Sequence, residues 1–196
     1  MSNYCSLEAL RDYLSPSNAL GSYNDGLLQD SIDEAESVIN NYTRRQFAGT
    51  AGTIYVNRFS QRFVKNQALY LENDLHTLVS LTNGDSQNIP VGSVWLEPRN
   101  AGPPYRLIRL MSGYVFVWNT DSDIVISGTF GFSTVPPAAI SRTCVELGAY
   151  FYRLKDTMPD STAGLSAAGE VVYPKSMPDW VKQKLEPYRS RSGGVV

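Results

Sequence analysis

A change of hydrophobic period between Gly128 and Ile140 constrains the fold of this chain more than any other sequence feature. Before it, bulky residues keep the alternating register of a strand with one buried face: Ile124, Ile126, Phe130 and Phe132. After it, apolar residues recur at spacings of four and three, on one stripe of a helix: Ile140, Cys144, Leu147, Phe151 and Leu154. Pro136 and Pro137 stand in the lead-in and first turn, where a missing amide hydrogen is least harmful. The sequence therefore predicts a β-rich region that ends directly before a long amphipathic helix.

Two further helices are predicted near the N-terminus. The first spans Leu7 to Leu14, with Ser6 available as its cap. The second begins at about Asp25, and its apolar stripe consists of Leu28, Ile32, Ala35, Ile39 and Tyr42. Arg44 and Arg45 come at its end, where the helix dipole favours cations.

Short antiparallel strands are predicted between Gly49 and Thr134, a region of β-branched and aromatic residues broken by Gly, Asn and Pro. We expect strands at Thr53 to Val56, Ala68 to Leu71, Val79 to Thr82, Ser93 to Glu97, Tyr105 to Leu110, Tyr114 to Trp118 and Asp123 to Phe130. Asn83 and Gly84 favour a type I′ hairpin turn, and a longer loop is expected from Pro98 to Pro104. Gly128 and Gly131 indicate a bulge or a close backbone approach at the end of a strand.

The C-terminal part is predicted to be a loop followed by a short helix. Residues 156 to 174 are rich in Gly, Ala, Ser and Pro, which favours a flexible or loosely docked loop. The helix from about Pro178 to Glu186 is too short to be stable alone, so it needs a partner surface, in this subunit or in a neighbour. The residues that supply its apolar contacts are Trp180, Val181, Leu185 and Tyr188.

Together these predictions give an α+β fold. A small helical bundle body is expected from residues 1–48 and 135–156, with a long antiparallel β-rich insertion at 49–134. Residues 157–196 form a C-terminal arm of loop, short helix and tail. A chain of 196 residues, 42% hydrophobic, can bury a core without disulfides, and Cys144 on the apolar stripe is expected to be a small buried side chain.

Several classes of function lack support in the sequence. We expect a soluble, unprocessed protein, because no basic leader and no apolar run of about 20 residues is present. The formal charge of −2 gives no global attraction to nucleic acid. No zinc-binding cysteine pair, P-loop or G-x-S-x-G motif occurs, so we expect no metal and no cofactor.

Two local patterns leave alternatives open. His76 is the only histidine, and it would have to carry any activity of a small hydrolase. Basic and aromatic residues interleave from Arg58 to Lys65, as in grooves that bind single strands, while Arg106 and Arg109 are further ambiguous cations. The alternative function is therefore an OB-like single-stranded nucleic-acid-binding module, in which Arg58 and Arg62 contribute to binding.

Three stretches of the chain carry a family resemblance. The first joins Ser6 to Leu14 with the helix end from Ile39 to Phe47. The second runs from Gly128 through Val135 and Pro136 to Tyr150-Phe151-Tyr152-Arg153. The third is the close of the chain: Pro178, Val181, Leu185 and Pro187-Tyr188-Arg189. In these stretches the chain resembles the head-tail connector family of tailed bacteriophages, also called adaptor or head-completion proteins. The family often has a glycine where this chain has Arg44, and the β-rich insertion here is longer than in its compact helical members.

The resemblance implies a virion protein without enzymatic activity. Such a protein is assembled in the host cytoplasm as a ring, usually dodecameric, on the portal vertex. It extends the channel, through which DNA passes only as cargo, and docks the tail or neck proteins. The residues expected to contact the portal or a neighbouring subunit are Trp180, Val181, Leu185, Tyr188 and Arg189.

Overall fold

The computed structural model describes residues 4–15, 24–57, 64–65, 67–119, 122–157, 164–165, 171–172 and 177–190. The chain divides into two compact units, Met1–Arg44 with Pro137–Val196, and Arg45–Pro136. The first is mainly helical and the second is an antiparallel sheet. The predicted α+β class is therefore confirmed, and the C-terminal segment belongs to the helical unit.

The helices of the helical unit begin close to their predicted positions. They are α1 (Leu7–Leu14), α2 (Asp25–Thr43), α3 (Ala138–Thr157) and α4 (Asp179–Leu185), and a 3₁₀ turn at Glu186–Tyr188 follows α4. Ser6 caps α1 as expected, since its hydroxyl oxygen accepts a hydrogen bond from the Ala9 amide at 3.0 Å. A two-stranded hairpin lies between α3 and α4, formed by strands that we label β8 (Gly164–Leu165) and β9 (Val171–Val172).

The predicted apolar stripes form the core of the helical unit. Helix α3 packs against α1, α2 and α4. The side chains buried in this unit include Leu10, Leu28, Ile32, Ala35, Ile39, Ile140, Cys144, Leu147 and Phe151. The spacing of four and three therefore predicts which faces meet, because residues at these intervals share one side of a helix.

Helix α2 ends in a conformation that explains one departure from the family pattern. Arg44, directly after the helix, has φ 55° and ψ 39°, in the left-handed region. Its amide donates to the Asn40 carbonyl at 2.7 Å. This position favours glycine because a Cβ is strained there. Arg44 therefore occupies a helix terminus at which glycine would be less strained.

The sheet unit contains the strands β1 (Thr50–Val56), β2 (Val64–Lys65), β3 (Ala68–Thr82), β4 (Asn88–Ile89), β5 (Val94–Glu97), β6 (Tyr105–Leu110) and β7 (Ile124–Phe130). The main strands lie in the order β1, β7, β3, β6, β5, while β2 and β4 also pair with β3. A 3₁₀ turn at Val91–Ser93 precedes β5, and the predicted loop from Pro98 to Pro104 joins β5 to β6. The buried hydrophobic cluster of this unit is made of residues from Val56 to Phe130 in the sequence.

Strand β7 has the predicted alternation of burial. Ile124, Ile126 and Phe130 are buried on one face. A Cβ on Gly128 would lie 2.2 Å from the carbonyl oxygen of Thr77, and the register between β3 and β7 shifts on either side of that contact. The expected close approach at Gly128 is therefore present, and it lies beside irregularities in the partner strand.

Strand β3 is one strand of 15 residues, where the sequence predicted two separate strands. The polar residues between them suggested a break, but Asp74 is buried and ion-paired inside the sheet unit. Its carboxylate lies 2.8 Å from Nε of Arg106 and 3.2 Å from Nη1 of Arg45. Two guanidinium groups compensate the buried charge, so the strand continues through it.

The predicted strand Tyr114–Trp118 and the predicted type I′ turn at Asn83 are both wrong, for one reason. Asn83 is buried, and its side chain bonds the backbone of the 114–118 segment. Its amide nitrogen donates to the Val115 carbonyl at 2.8 Å, and its amide oxygen accepts from the Val117 amide at 2.9 Å. The chain turns by a wider loop closed from the Asn83 amide to the Gln87 carbonyl at 2.8 Å. The segment is therefore held by the Asn83 side chain and by a single backbone bridge to Gly84, whose amide donates to the Val117 carbonyl at 3.0 Å, rather than by a strand ladder.

The backbone enters and leaves the sheet unit at neighbouring points. The Phe132 amide donates to the Gln46 carbonyl and the Gly49 amide donates to the Ser133 carbonyl, both at 2.7 Å. Gly131, at φ 141°, brings the two segments together, since a Cβ there would lie 2.8 Å from Cα of Gly49.

Candidate interaction surface

Helix α4 is attached to its own unit by two fully buried side chains. Val181 and Leu185 have zero exposure, and α4 packs against α3 and α2. Burial of side chains of this size contributes about 1.5 to 3 kcal/mol each. The surface that supports the short helix therefore lies within its own subunit.

A partly buried carboxylate links α4 to α3. Glu146, on α3, accepts a hydrogen bond from Nζ of Lys184 and a second from Nε of Arg142 at 3.1 Å. Burial raises the pKa of Glu146, but the hydrogen bonds from Lys184 and Arg142 outweigh burial and lower the pKa below its ordinary value. Glu146 therefore stays ionised and links two cations on different helices.

The end of the 3₁₀ turn is anchored to the end of α2. The Tyr42 hydroxyl donates to Glu186 at 2.7 Å, and this hydrogen bond raises the pKa of Tyr42. The Ser190 amide donates to the Thr43 carbonyl at 2.7 Å. Arg189 lies with its Cζ 5.5 Å from the centre of the Tyr42 ring, as in a cation–π contact. Both ends of the C-terminal segment 179–190 are thus fixed.

A groove lined by aromatic residues runs along the exposed side of this assembly. It has a volume of about 370 Å³ and is lined by Tyr13, Glu146, Tyr150, Arg153 and Trp180, which we call the aromatic groove. Tyr13 is 45% exposed and Trp180 is 39% exposed. Nζ of Lys184 lies 5.0 Å from the centre of the Trp180 ring. Partly exposed tryptophan and tyrosine beside cations are the composition that protein interfaces favour.

The five residues predicted to contact a portal or a neighbour do not form one surface. Trp180 lies in the aromatic groove, whereas Tyr188 and Arg189 lie at the far end of the C-terminal segment, where Arg189 is exposed. Val181 and Leu185 are buried and offer no accessible side chain. Their apolar character left open a partner surface in this subunit or in a neighbour, and the structure places both side chains in the core of their own unit.

The sequence reasoning missed Tyr13, Tyr150 and Arg153. Tyr13 lies on α1 away from the leucine stripe, and it is exposed. An exposed aromatic residue on the polar side of an amphipathic helix is the signal that could have identified it. Tyr150 and Arg153 lie close to the buried Phe151 in sequence. Their place in the groove follows only from the packing of α4 beside α3, which the sequence does not show.

The residues considered for catalysis and nucleic-acid binding do not converge. His76 is half-buried, with Nδ1 3.0 Å from the Thr77 hydroxyl. Within the described ranges, no three His, Cys, Asp or Glu side chains are placed to hold a metal ion. Arg106 is ion-paired with Asp74, and Arg109 is exposed. Arg58 and Arg62 lie outside the described residues, so binding of single strands stays a prediction. Most of the predicted loop 156–174 also lies outside them.

No helix in the described part of the chain has the length and apolar character needed to cross a bilayer.

No protein-family model and no curated protein matches the chain. Solved structures do match its fold. A chain from the neck of an empty gene transfer agent (GTA) particle, computed with C6 symmetry, matches with a TM-score of 0.67 and 18% identity, over 97% of this chain and 92% of that chain. A chain from the virion of a native GTA particle gives 0.66 and 19%, with the same coverage. A chain from the neck of a native GTA particle, computed with C12 symmetry, gives 0.63 and 17%, over 96% and 90%.

Proposed function

We propose that this chain is a structural protein of the neck of a tailed phage or phage-like particle, where it acts as a head-tail connector. The fold match over 97% of the chain to a neck protein carries this proposal. Coverage this complete includes both the helical unit and the sheet unit, and 92% of the matched chain is covered in return. The resemblance of the helical segments to the connector family supports the same function from different evidence.

The proposed assembly is a ring on the portal vertex. Two of the matched neck structures were computed with C6 and C12 symmetry. Identical subunits joined head to tail close into a ring when the rotation between neighbours is fixed. We infer a dodecamer of this chain that binds the portal protein, extends the DNA channel and offers its far side to tail or neck proteins. The ring would be assembled in the host cytoplasm and remain in the virion.

The C-terminal segment is the proposed contact with the portal or a neighbouring subunit. Trp180, Tyr188 and Arg189 make the contact, while Val181 and Leu185 hold the helix that presents them. A rigidly held aromatic anchor loses less conformational entropy on binding than a mobile one. The two fixed ends of the segment therefore suit it to binding.

The proposed role needs binding surfaces and no catalytic group. DNA passes the ring only as cargo, and a formal charge of −2 gives the subunit no strong attraction to it. A wall without strong attraction to DNA suits a channel through which DNA must move freely.

The proposal is tested by mixing the purified protein with its cognate portal and imaging the product by electron microscopy. We expect a second ring stacked on the portal, with twelve subunits in class averages. A portal that remains bare at micromolar protein would contradict the connector function. A stacked ring with another number of subunits would contradict only the dodecamer.

Point substitutions test the contact residues without removing the helix core. We expect Trp180→Ala to weaken portal binding by about tenfold or more, as is typical of a central aromatic contact. Gln183→Ala is the matched control, since Gln183 is exposed on the same helix. Equal binding by both variants would remove Trp180 from the interface.

A further inference from the structure

The two cysteines of the chain meet in the helical unit although 139 positions separate them. Sγ of Cys5 lies 3.2 Å from Sγ of Cys144. Both are free thiols with buried side chains, at 7% and 0% exposure. A disulfide bond is about 2.05 Å long, so the sulfur atoms need to approach by little more than 1 Å, roughly the effect of a small side-chain rotation.

Both cysteines stand on firmly held backbone. Cys5 directly precedes the Ser6 cap of α1. Beside it, the Tyr4 amide donates to Glu36, and the Tyr4 hydroxyl donates to Asn40 Oδ1 at 2.5 Å. Cys144 lies within α3. The two thiols are therefore brought together by the fold itself rather than by chance encounters of a mobile terminus.

We propose that Cys5 and Cys144 form an intramolecular disulfide when the protein meets a low-molecular-weight disulfide such as oxidised glutathione. The Cys5 thiolate attacks one sulfur of the reagent, which releases one glutathione thiolate and leaves a mixed disulfide. The Cys144 sulfur, losing its proton to solvent, then attacks Cys5 and releases the second glutathione. The protein loses two electrons and two protons, and one oxidised glutathione becomes two reduced ones.

The environment of the pair determines when the reaction occurs. The hydrogen bond with Cys5, together with burial, raises the pKa of Cys144, so this thiol is stable in a reducing compartment. Once formed, the disulfide closes a very long loop, the case in which a cross-link restricts the unfolded chain most. It would join the start of α1 to α3 for as long as the surroundings remain oxidising. This inference goes beyond the connector function and does not depend on it.

The test measures the equilibrium between thiols and disulfide in glutathione buffers. The full chain is reduced in urea and then either refolded or kept in urea, and both samples stay in the glutathione buffers until the ratio of thiols to disulfide no longer changes, so that slow access to the buried thiols does not affect the result. We expect the effective concentration of the two thiols to be about a thousandfold higher in the folded chain than in urea, because a long-loop disulfide stabilises folding by about this factor. The product should be monomeric and about 2 Da lighter, with a thermal midpoint raised by about 10 °C.

Single substitutions supply the controls. In Cys5→Ser, the remaining Cys144 should form a mixed disulfide with glutathione at least about tenfold more slowly in the folded chain than in urea, since a buried thiol is inaccessible. In Cys144→Ser, Cys5 should form a mixed disulfide but no internal cross-link. Equal effective concentrations in the folded chain and in urea would overturn the proposal, and so would a product that is a disulfide-linked dimer.

Discussion

Arg44 shows how a single residue can keep a fold while weakening it. A residue with a side chain at φ 55° is strained by about 1 kcal/mol relative to glycine. The Arg44 side chain is exposed, so it gains no burial in return. The backbone angle at this position therefore favours glycine over arginine.

We expect Arg44→Gly to raise the free energy of unfolding by about 0.5 to 1 kcal/mol, because relief of the strain exceeds the added freedom of the unfolded chain. Urea denaturation followed by circular dichroism measures the change. Arg44→Ala keeps the strain and should remain within about 0.5 kcal/mol of the parent. A glycine variant no more stable than the alanine variant would show that the position carries no strain.

Asn83 is a second residue whose side chain determines backbone structure. Asn83→Ala would remove the side chain that bonds the Val115 carbonyl and the Val117 amide in a partly buried place. We expect a loss of about 1 to 2 kcal/mol in the free energy of unfolding, because water can reach part of the segment and replace some of the lost bonding. Asn88→Ala, at an exposed position, is the control and should change stability by less than about 0.5 kcal/mol. Similar effects of the two changes would contradict the role assigned to Asn83.

At the scale of elements, the attachment of α4 to α3 depends on pH through Glu146. The folded-state pKa of Glu146 lies below the ordinary 4.5, so its stabilising contribution is complete above that value and is lost as the pH falls through the folded-state pKa. We expect Glu146→Gln to lower the free energy of unfolding by about 1 kcal/mol at pH 7. The parent and the variant should converge in acid, once the pH lies below the folded-state pKa of Glu146.

Urea denaturation at neutral pH and in acid measures this difference, and Lys184→Gln completes a double-mutant cycle. Coupling between positions 146 and 184 should be present at neutral pH and absent in acid. A difference between parent and Glu146→Gln that grows on acidification would have the wrong sign and would exclude Glu146 as the source of the effect.

The sequence predicted elements well where one local pattern determines them. The helices follow from their apolar stripes and from Ser6, because a helix makes its backbone hydrogen bonds within itself. Strand β3 was divided in two because its pairing depends on Asp74 meeting arginines 29 and 32 positions away. The alternation in the 114–118 segment predicts a strand, but the partners of this segment are the side chain of Asn83 and the backbone of Gly84 rather than a neighbouring strand. Long-range partners of polar groups were the part that local patterns could not reveal.

The candidate site was predicted only in part. Trp180 was identified, but Val181 and Leu185 were not recognised as core, because an amphipathic helix has the same pattern whether its partner is its own unit or a neighbour. The aromatic groove combines residues from α1, α3 and α4, and only the packing of these helices brings them together.

At the scale of the whole molecule, each unit has its own core. The buried cluster of the sheet unit runs from Val56 to Phe130, within Arg45–Pro136. We therefore expect a fragment of residues 45–136 to fold alone, because its apolar burial and its Asp74 ion pairs are internal. Circular dichroism and urea denaturation of the fragment should show one cooperative transition. The same fragment carrying Asn83→Ala should unfold at lower urea. A fragment without a cooperative transition would show that the sheet unit requires the helical one.

The two ends of the sheet unit lie next to each other, and this has a consequence for how the protein can evolve. The segments at Gln46 and Phe132 are one hydrogen bond apart, so their Cα atoms are separated by about the spacing of paired strands, roughly 5 Å. A gene cut at these two points can be rejoined with only a few codons as a bridge. One recombination event can thus delete, add or exchange residues 45–136 and leave the reading frame of the helices intact.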